Sequence, residues 1–176
     1  MKYQLQALTL TQPWAHAIAH LGKRIENRTW APPTRMLGRW MAIHAGKKLD
    51  REALEDLVIE RAQYTPAEVV GAEITVRGMA QGAILAVARL DGWVRGGGVS
   101  DHERRVLATS WAGAEPELVK RAEEATRDRW WAGPVGWVFG DVVRLAEPVP
   151  HVGAQGLWVV SPEACRAIRA QFRAPE

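Results

Sequence analysis

Cysteine is nearly absent. Cys165 is the single one in the chain, so no disulfide framework can form within it, and a cysteine-based zinc site has no ligand set to build on. Long apolar runs are missing as well. The longest, such as Ala83 to Ala88, are strand-sized and too short to span a bilayer. The opening Met1-Lys2-Tyr3-Gln4-Leu5-Gln6 lacks the uninterrupted apolar core of a signal peptide, so a cytoplasmic location without a membrane partner is expected. Charge of one sign is weak: the net charge is +3, although the pI is about 9.3. That balance is compatible with a polyanionic partner and does not demand one. Gly96-Gly97-Gly98 lacks the Lys-Ser/Thr of a phosphate loop and opens no clear helix, which excludes a nucleoside triphosphate site there. No cofactor is expected.

What is present points to a folded protein. Hydrophobic residues make up 47% of the 176, enough for one sizeable core in a single domain over 1–176. Tyrosine and phenylalanine number two each, against nine tryptophans. A buried indole needs a partner for its N–H, and an accessible one is a good surface on which a base can stack. Most of the nine should be core, leaving a few for a cleft.

Leu5 to Leu10 reads as a strand. Thr11 is placed to cap a helix with Pro13 in its first turn, running through Trp14, Ile18 and Leu21 and ending at Gly22. Arg24 to Trp30 alternates, with Arg24, Glu26, Arg28 and Trp30 on one face and Ile25, Asn27 and Thr29 on the other. Trp40 to Ala45 predicts a strand and Asp50 a helix cap, followed by Leu54, Leu57, Val58 and Arg61 at helical spacing. Thr65-Pro66-Ala67-Glu68 has the form of a capping box. Gly82 to Leu90 predicts a strand covered on both faces, and Arg95 to Ser100 a glycine loop. Asp101 to Arg129 reads as one or two helices, clearest over Glu117 to Arg127. Val135 to Leu145 is a strand that can break at Gly140; Gly156 to Val160 is another, and Ser161-Pro162-Glu163 starts a final helix. Strands and helices do not alternate regularly, so the class is α+β, as a small mixed β-barrel with helices packed outside.

The densest polar cluster is Lys23-Arg24-Ile25-Glu26-Asn27-Arg28-Thr29-Trp30. A Lys and an Arg beside a Trp can neutralise phosphate and stack a base, while a Glu among them can accept from a base's amino group. The same pattern also fits a solvated strand face with an ordinary Glu–Arg pair. His44 is either a proton carrier or a hydrogen-bonded structural histidine. His16 and His20 have ligand spacing on a helix, but no third ligand of matching context appears. Of Trp130 and Trp131, one should be core and the other can line a cleft. Gln12 and Gln155 can read a base edge or bond loop backbone. Cys165 has no paired His nearby in sequence and reads as core packing.

Six stretches carry a family resemblance. They are Leu8-Thr9-Leu10-Thr11-Gln12-Pro13-Trp14; Gly22-Lys23-Arg24-Ile25-Glu26-Asn27-Arg28-Thr29-Trp30 with Ile43-His44-Ala45; and, at the far end, Gly133-Pro134-Val135-Gly136-Trp137-Val138, Pro148-Val149-Pro150 and Gly153-Ala154-Gln155-Gly156-Leu157-Trp158. Together and in order, over roughly residues 5–160, they resemble an ASCH domain of the PUA-like superfamily. The resemblance implies a PUA-like barrel and a role in RNA metabolism, with a cleft holding Lys23, Glu26 and Arg28 of a G-K-x-x-E-x-R motif. It also implies RNA, or a nucleobase or nucleoside, as partner. Asn27, Trp14, Trp30, His44, Trp137 and Gln155 are the further ligand-binding candidates. Some small relatives are hydrolases that deacylate N4-acetylcytidine; their motif has Thr where this chain has Glu26. The alternative to a binding module is therefore an amidohydrolase or ribonuclease, with Lys23 or Glu26 as the catalytic group. The segment 92–129 looks like an inserted helical piece.

Overall fold

The computed structural model of the protein describes residues 4–62, 79–97, 105–111, 120, 124, 127–128 and 130–172, with backbone alone at 58–62, 97 and 105–111. In chain order the elements are β1 (Gln6–Gln12), α1 (Trp14–His20), β2 (Ile25–Arg28), a 3-10 turn (Thr34–Met36), β3 (Arg39–Leu49), α2 (Arg51–Ala62), β4 (Ala83–Gly97), β5 (Arg105–Trp111), β6 (Val135–Pro150), β7 (Leu157–Val159) and α3 (Pro162–Gln171). The strands run in the order β2-β6-β4-β3-β1-β7, and β5 pairs with β4 off this path. The class is α+β, as expected, but the barrel is not closed. Among the described residues the path has two ends, β2 with four residues and β7 with three. Closure requires the end strands to pair along their length, and such short strands are typical of sheet edges.

The chain forms two compact units, and β3, β4 and β6 contribute residues to both. The first comprises Met1–Leu21, Ala42–Val87 and Val143–Glu176. Its buried residues include Ala7, Leu8 and Leu10 of β1, Ile43 and Ala45 of β3, and Ile84 to Val87 of β4. The helices supply Ala15, Ala17 and Ile18 from α1, Leu54 and Leu57 from α2, and Ala164 and Ile168 from α3. β1 pairs antiparallel with β7, Ala7 opposite Trp158. Asp50 caps α2 as predicted, its carboxylate accepting the Ala53 N–H at 3.1 Å. Ser161 caps α3 in the same way, accepting from Ala164 at 3.2 Å, with Pro162 in the first turn. Thr11 does not cap α1. It lies inside β1, and the Gln12 side chain does the work instead, accepting the His16 N–H at 3.0 Å. Gly22 follows the helix at φ +75°, the left-handed position its place in the sequence predicts.

The second unit comprises Gly22–Met41 and Ala88–Val142. β2 pairs antiparallel with β6, with Glu26 opposite Trp137 and Arg28 opposite Val135. Ile25, Val94, Trp131 and Val138 pack as one buried cluster with the half-buried Trp130 against it. Fully burying a side chain of the size of Ile25 contributes about 1.5–3 kcal/mol. Trp130 and Trp131 thus share one core, where the sequence suggested opposite faces. Three expectations are overturned in this unit. Arg95 to Gly97 is not loop but the end of β4, and residues 105–111 are not helix but β5, with Val94 opposite Thr109 and Gly97 opposite Arg105. Val106, Thr109 and Trp111 favour a strand, and an available edge of β4 decides what local pattern leaves ambiguous. Gly140 does not interrupt β6; it sits where a Cβ would lie 2.1 Å from Asp91 Oδ2, so glycine makes room for that carboxylate. β2 is also shorter than the alternating stretch, and Trp30 lies beyond its end. The capping box at residues 65–68 and most of Glu117 to Arg127 lie outside the described residues.

Candidate functional site

The turn after α1 delivers Lys23 to the start of β2, and the strand then carries Glu26 and Arg28 two residues apart on one face. The three side chains meet. Lys23 is 1% exposed and Glu26 is 7% exposed. Lys23 Nζ donates to Glu26 Oε2 at 2.9 Å and to the Ile25 carbonyl. Glu26 Oε1 lies 3.6 Å from Arg28 Nε, and the Arg28 side chain is partly exposed. Glu26 therefore bridges two cations, one sealed inside and one reaching solvent. By formal charge the triad carries one net positive charge.

Tryptophan backs this cluster from β6. Trp137 is fully buried; its N–H donates to the Trp30 carbonyl at 2.9 Å, and the two indoles meet edge to face at 4.7 Å. Trp137 offers no face to solvent, whereas Trp30 is half-buried. Asn27 points its amide elsewhere. Nδ2 donates to the Trp130 carbonyl at 2.7 Å and Oδ1 accepts the Ala132 N–H at 2.9 Å. It fastens residues 130–132 to β2.

Trp14, His44 and Gln155 belong to the first unit. Trp14 is half-buried and Gln155 exposed. His44 is 1% exposed and hydrogen-bonds the His151 carbonyl through Nε2 at 2.9 Å. Burial pushes its pKa below the ordinary value, the bond to the His151 carbonyl works the other way, and the nearby His151 ring adds to the lowering. Gln12 is buried and structural, its Nε2 donating to the Ala80 carbonyl at 2.7 Å. His16 and His20 stack at 4.3 Å, and among the described residues no group of three His, Cys, Asp or Glu could hold a metal ion. Cys165 is half-buried and directs its thiol toward the Val160 carbonyl.

A feature of the second unit escaped the sequence reading. Arg89 Nε meets Asp91 Oδ1 at 2.7 Å, and Arg89 Nη1 meets Asp141 Oδ2 at 2.8 Å. Beside them opens a cavity of about 360 Å³ lined by Arg24, Ile25, Asp91, Asp128, Val138 and Phe139 among others. Lys23, Glu26 and Arg28 are not part of that lining. The available signal was Arg89-x-Asp91, two charged residues on one face of an otherwise apolar run.

No family model and no curated protein matches this chain. Solved structures do. A crystal structure of ASCH from Zymomonas mobilis is 14% identical, with 95% of this chain and 94% of that one covered at a TM-score of 0.46. Two mutant forms from the same organism are also 14% identical. One covers 96% of this chain and 98% of its own at 0.46, the other 95% of each at 0.45. Over nearly its whole length, then, this chain is similar to ASCH structures from Zymomonas mobilis.

Proposed function

We propose that the protein is an ASCH-type binding module and that Lys23, Glu26 and Arg28 hold a nucleobase or nucleoside, most simply within single-stranded RNA. The observation that carries this reading is the burial of Lys23 against Glu26. A buried ion pair is a poor device for stability, because desolvation offsets most of the attraction. A buried charged group at the end of a short strand is better understood as part of a site. Glu26 supplies an acceptor and Arg28 a donor, the two chemistries that a base edge offers in return. Trp30, half-buried beside Trp137, is the indole this reading assigns to stacking on the base.

The hydrolytic alternative needs Lys23 or Glu26 to move a proton. Lys23 Nζ pairs as an ammonium with Glu26 and donates to the Ile25 carbonyl, and a lysine acting as base would have to give up the positive charge of that pair. Glu26 Oε2 is taken up by the same pair. That arrangement favours a positioning role over catalysis. Titration of labelled single-stranded oligoribonucleotides, and of free nucleosides, at two salt concentrations tests the proposal. Log affinity for an oligonucleotide is expected to fall by about 0.7 per neutralised phosphate for each unit of log salt. Arg28→Ala should weaken binding by about 1.5–3 kcal/mol, the range for a hydrogen bond to a charged group. Binding of neither probe at low salt, or unchanged affinity in Arg28→Ala, overturns the reading. Release of acetate from N4-acetylcytidine by the wild-type protein would promote the enzyme instead.

A further inference from the structure

The first unit contains a pair of histidines that the proposed function does not use. His44 lies on β3, and His151 follows β6. Among the described residues they make four bonds around the loop 151–156: two tie it to β3 and Gly82, one closes on Val152 and one reaches Ser161, while β7 beyond it is held by β1. His44 Nε2 donates to the His151 carbonyl at 2.9 Å. The His151 N–H donates to the Gly82 carbonyl at 2.9 Å. His151 Nδ1 donates to the Val152 carbonyl at 2.7 Å, and His151 Nε2 accepts the Ser161 N–H at 3.3 Å. These partners fix the tautomers. They place a hydrogen on His44 Nε2 and on His151 Nδ1, and they leave His151 Nε2 as an acceptor.

Trp158 completes the arrangement. Its indole stacks on the His151 ring at 4.7 Å and meets His44 edge-on at 5.5 Å. Its N–H donates to Thr9 Oγ1 at 3.0 Å. Gly153 closes over His44 so tightly that a Cβ there would lie 2.6 Å from His44 Nδ1 and 2.7 Å from Thr9 Oγ1. His44 Nδ1 is buried and has no hydrogen-bond partner among the described residues.

We infer that His44 and His151 form an acid-sensitive latch, which holds the loop 151–156 closed between Gly82 and Ser161 when both rings are neutral and releases it when either takes up a proton. Both protonation sites are wrong for a cation. A proton on His151 Nε2 would face the Ser161 N–H, donor against donor. Ser161 is also the N-cap of α3, where the helix presents its positive pole. A proton on His44 Nδ1 would be buried against Gly153 with no acceptor to meet it. The lowered pKa of His44 agrees with this geometry. The surrounding elements do little to offset it. Thr9 from β1 and Trp158 from β7 carry no charge. From α3, Glu163 is fully exposed and pairs with Arg166 at 3.3 Å. Its carboxyl is held below the ordinary value by a hydrogen bond from its own backbone, with Arg166 and Ser161 helping, so it remains ionised across the histidine range.

Backbone amide exchange on the full chain, corrected for the chemical rate at each pH, tests the latch at pH 7.5 and pH 5.5. Protection of the His151 and Ser161 amides is expected to drop at least about tenfold on acidification, and by clearly more than that of the β4 amides. His151→Gln places an amide oxygen near the Nε2 position, where it can accept the Ser161 N–H but cannot be protonated in this range. The variant should hold the loop closed at both values. Unchanged protection in the wild-type protein overturns the latch. Loss spread equally through β4 overturns it too, since that is unfolding of the unit. An equal drop in His151→Gln removes His151 from the device. Should that variant fail to fold, histidine ring NMR on the wild-type protein decides. Proton uptake must track the loss of protection, and a ring that titrates without it overturns the latch.

Discussion

Lys23 is sealed against Glu26, which also faces Arg28 at 3.6 Å. Breaking a buried pair costs about 3–5 kcal/mol when the remaining charge has no other partner, and because Glu26 keeps Arg28 the loss of Lys23 falls toward the lower end. Lys23→Ala should therefore destabilise the second unit strongly, read as a lower urea midpoint. Replacing both, as Lys23→Met with Glu26→Leu, should recover most of that stability, because well-packed apolar side chains often replace a buried pair at little net cost. If the double variant is no more stable than Lys23→Ala, the pair is not the cause. Ligand binding should be lost in both, which separates the role of the pair in the fold from its role in the site. Asn27 behaves differently. Its two bonds to the backbone at residues 130 and 132 make it a fastener, and Asn27→Ala should cost about 1–3 kcal/mol by leaving the Trp130 carbonyl and the Ala132 N–H to find other partners. Thermal unfolding measures it; a change below a few tenths would show that these groups are solvated instead.

Glycine decides what two of the strands can do. At Gly140 any Cβ would collide with Asp91, and Arg89 holds that carboxylate at 2.7 Å. Gly140→Ala must displace an ion pair as well as a side chain, so it should exceed the usual 1–3 kcal/mol of an overpacked site, roughly, and shift the denaturant midpoint accordingly. Stability within error of wild type would mean that β6 yields at this point. The helix caps are simpler. Ser161→Ala removes the side-chain acceptor of the Ala164 N–H at the start of α3 and should cost about 1 kcal/mol. These elements also show where local pattern succeeds. Asp50 and Ser161-Pro162 announce their helices because a cap is satisfied within three residues. Thr11 misleads because Gln12, one residue on, reaches the same His16 N–H from the end of a strand. β5 misleads because a charged neighbourhood looks helical until an edge of β4 is there to pair with it.

For the molecule as a whole, acidity should act first on the first unit. The folded-state pKa of His44 lies below its ordinary value of 6.5. The unfolded chain therefore binds the proton more readily, and stability rises with pH. The contribution of His44 is complete above the ordinary value and is lost as pH falls through it toward the lowered one. Urea midpoints at pH 7.5 and pH 5.5 should differ in that direction, and His44→Gln should flatten the difference. A midpoint that rises on acidification would contradict the assignment.

The sequence by itself determined the contacts that close over a few residues: the helix caps, the left-handed Gly22, the apolar run of β4, and the pairing of Lys23 with Glu26 and Arg28 along one short strand. Those depend on spacing, which is written in the chain. Tertiary structure decided the rest. Trp137 is buried because β6 pairs it with Glu26, 111 positions away in the chain, and not through any local pattern. Asn27 becomes a fastener because residues 130 and 132 arrive beside it. His151 and Trp158 become partners of His44 only when β7 lies along β1. The sheet stays open because its two end strands are too short to pair along a seam. None of these has a local signature, since each is a meeting of backbone groups far apart in sequence.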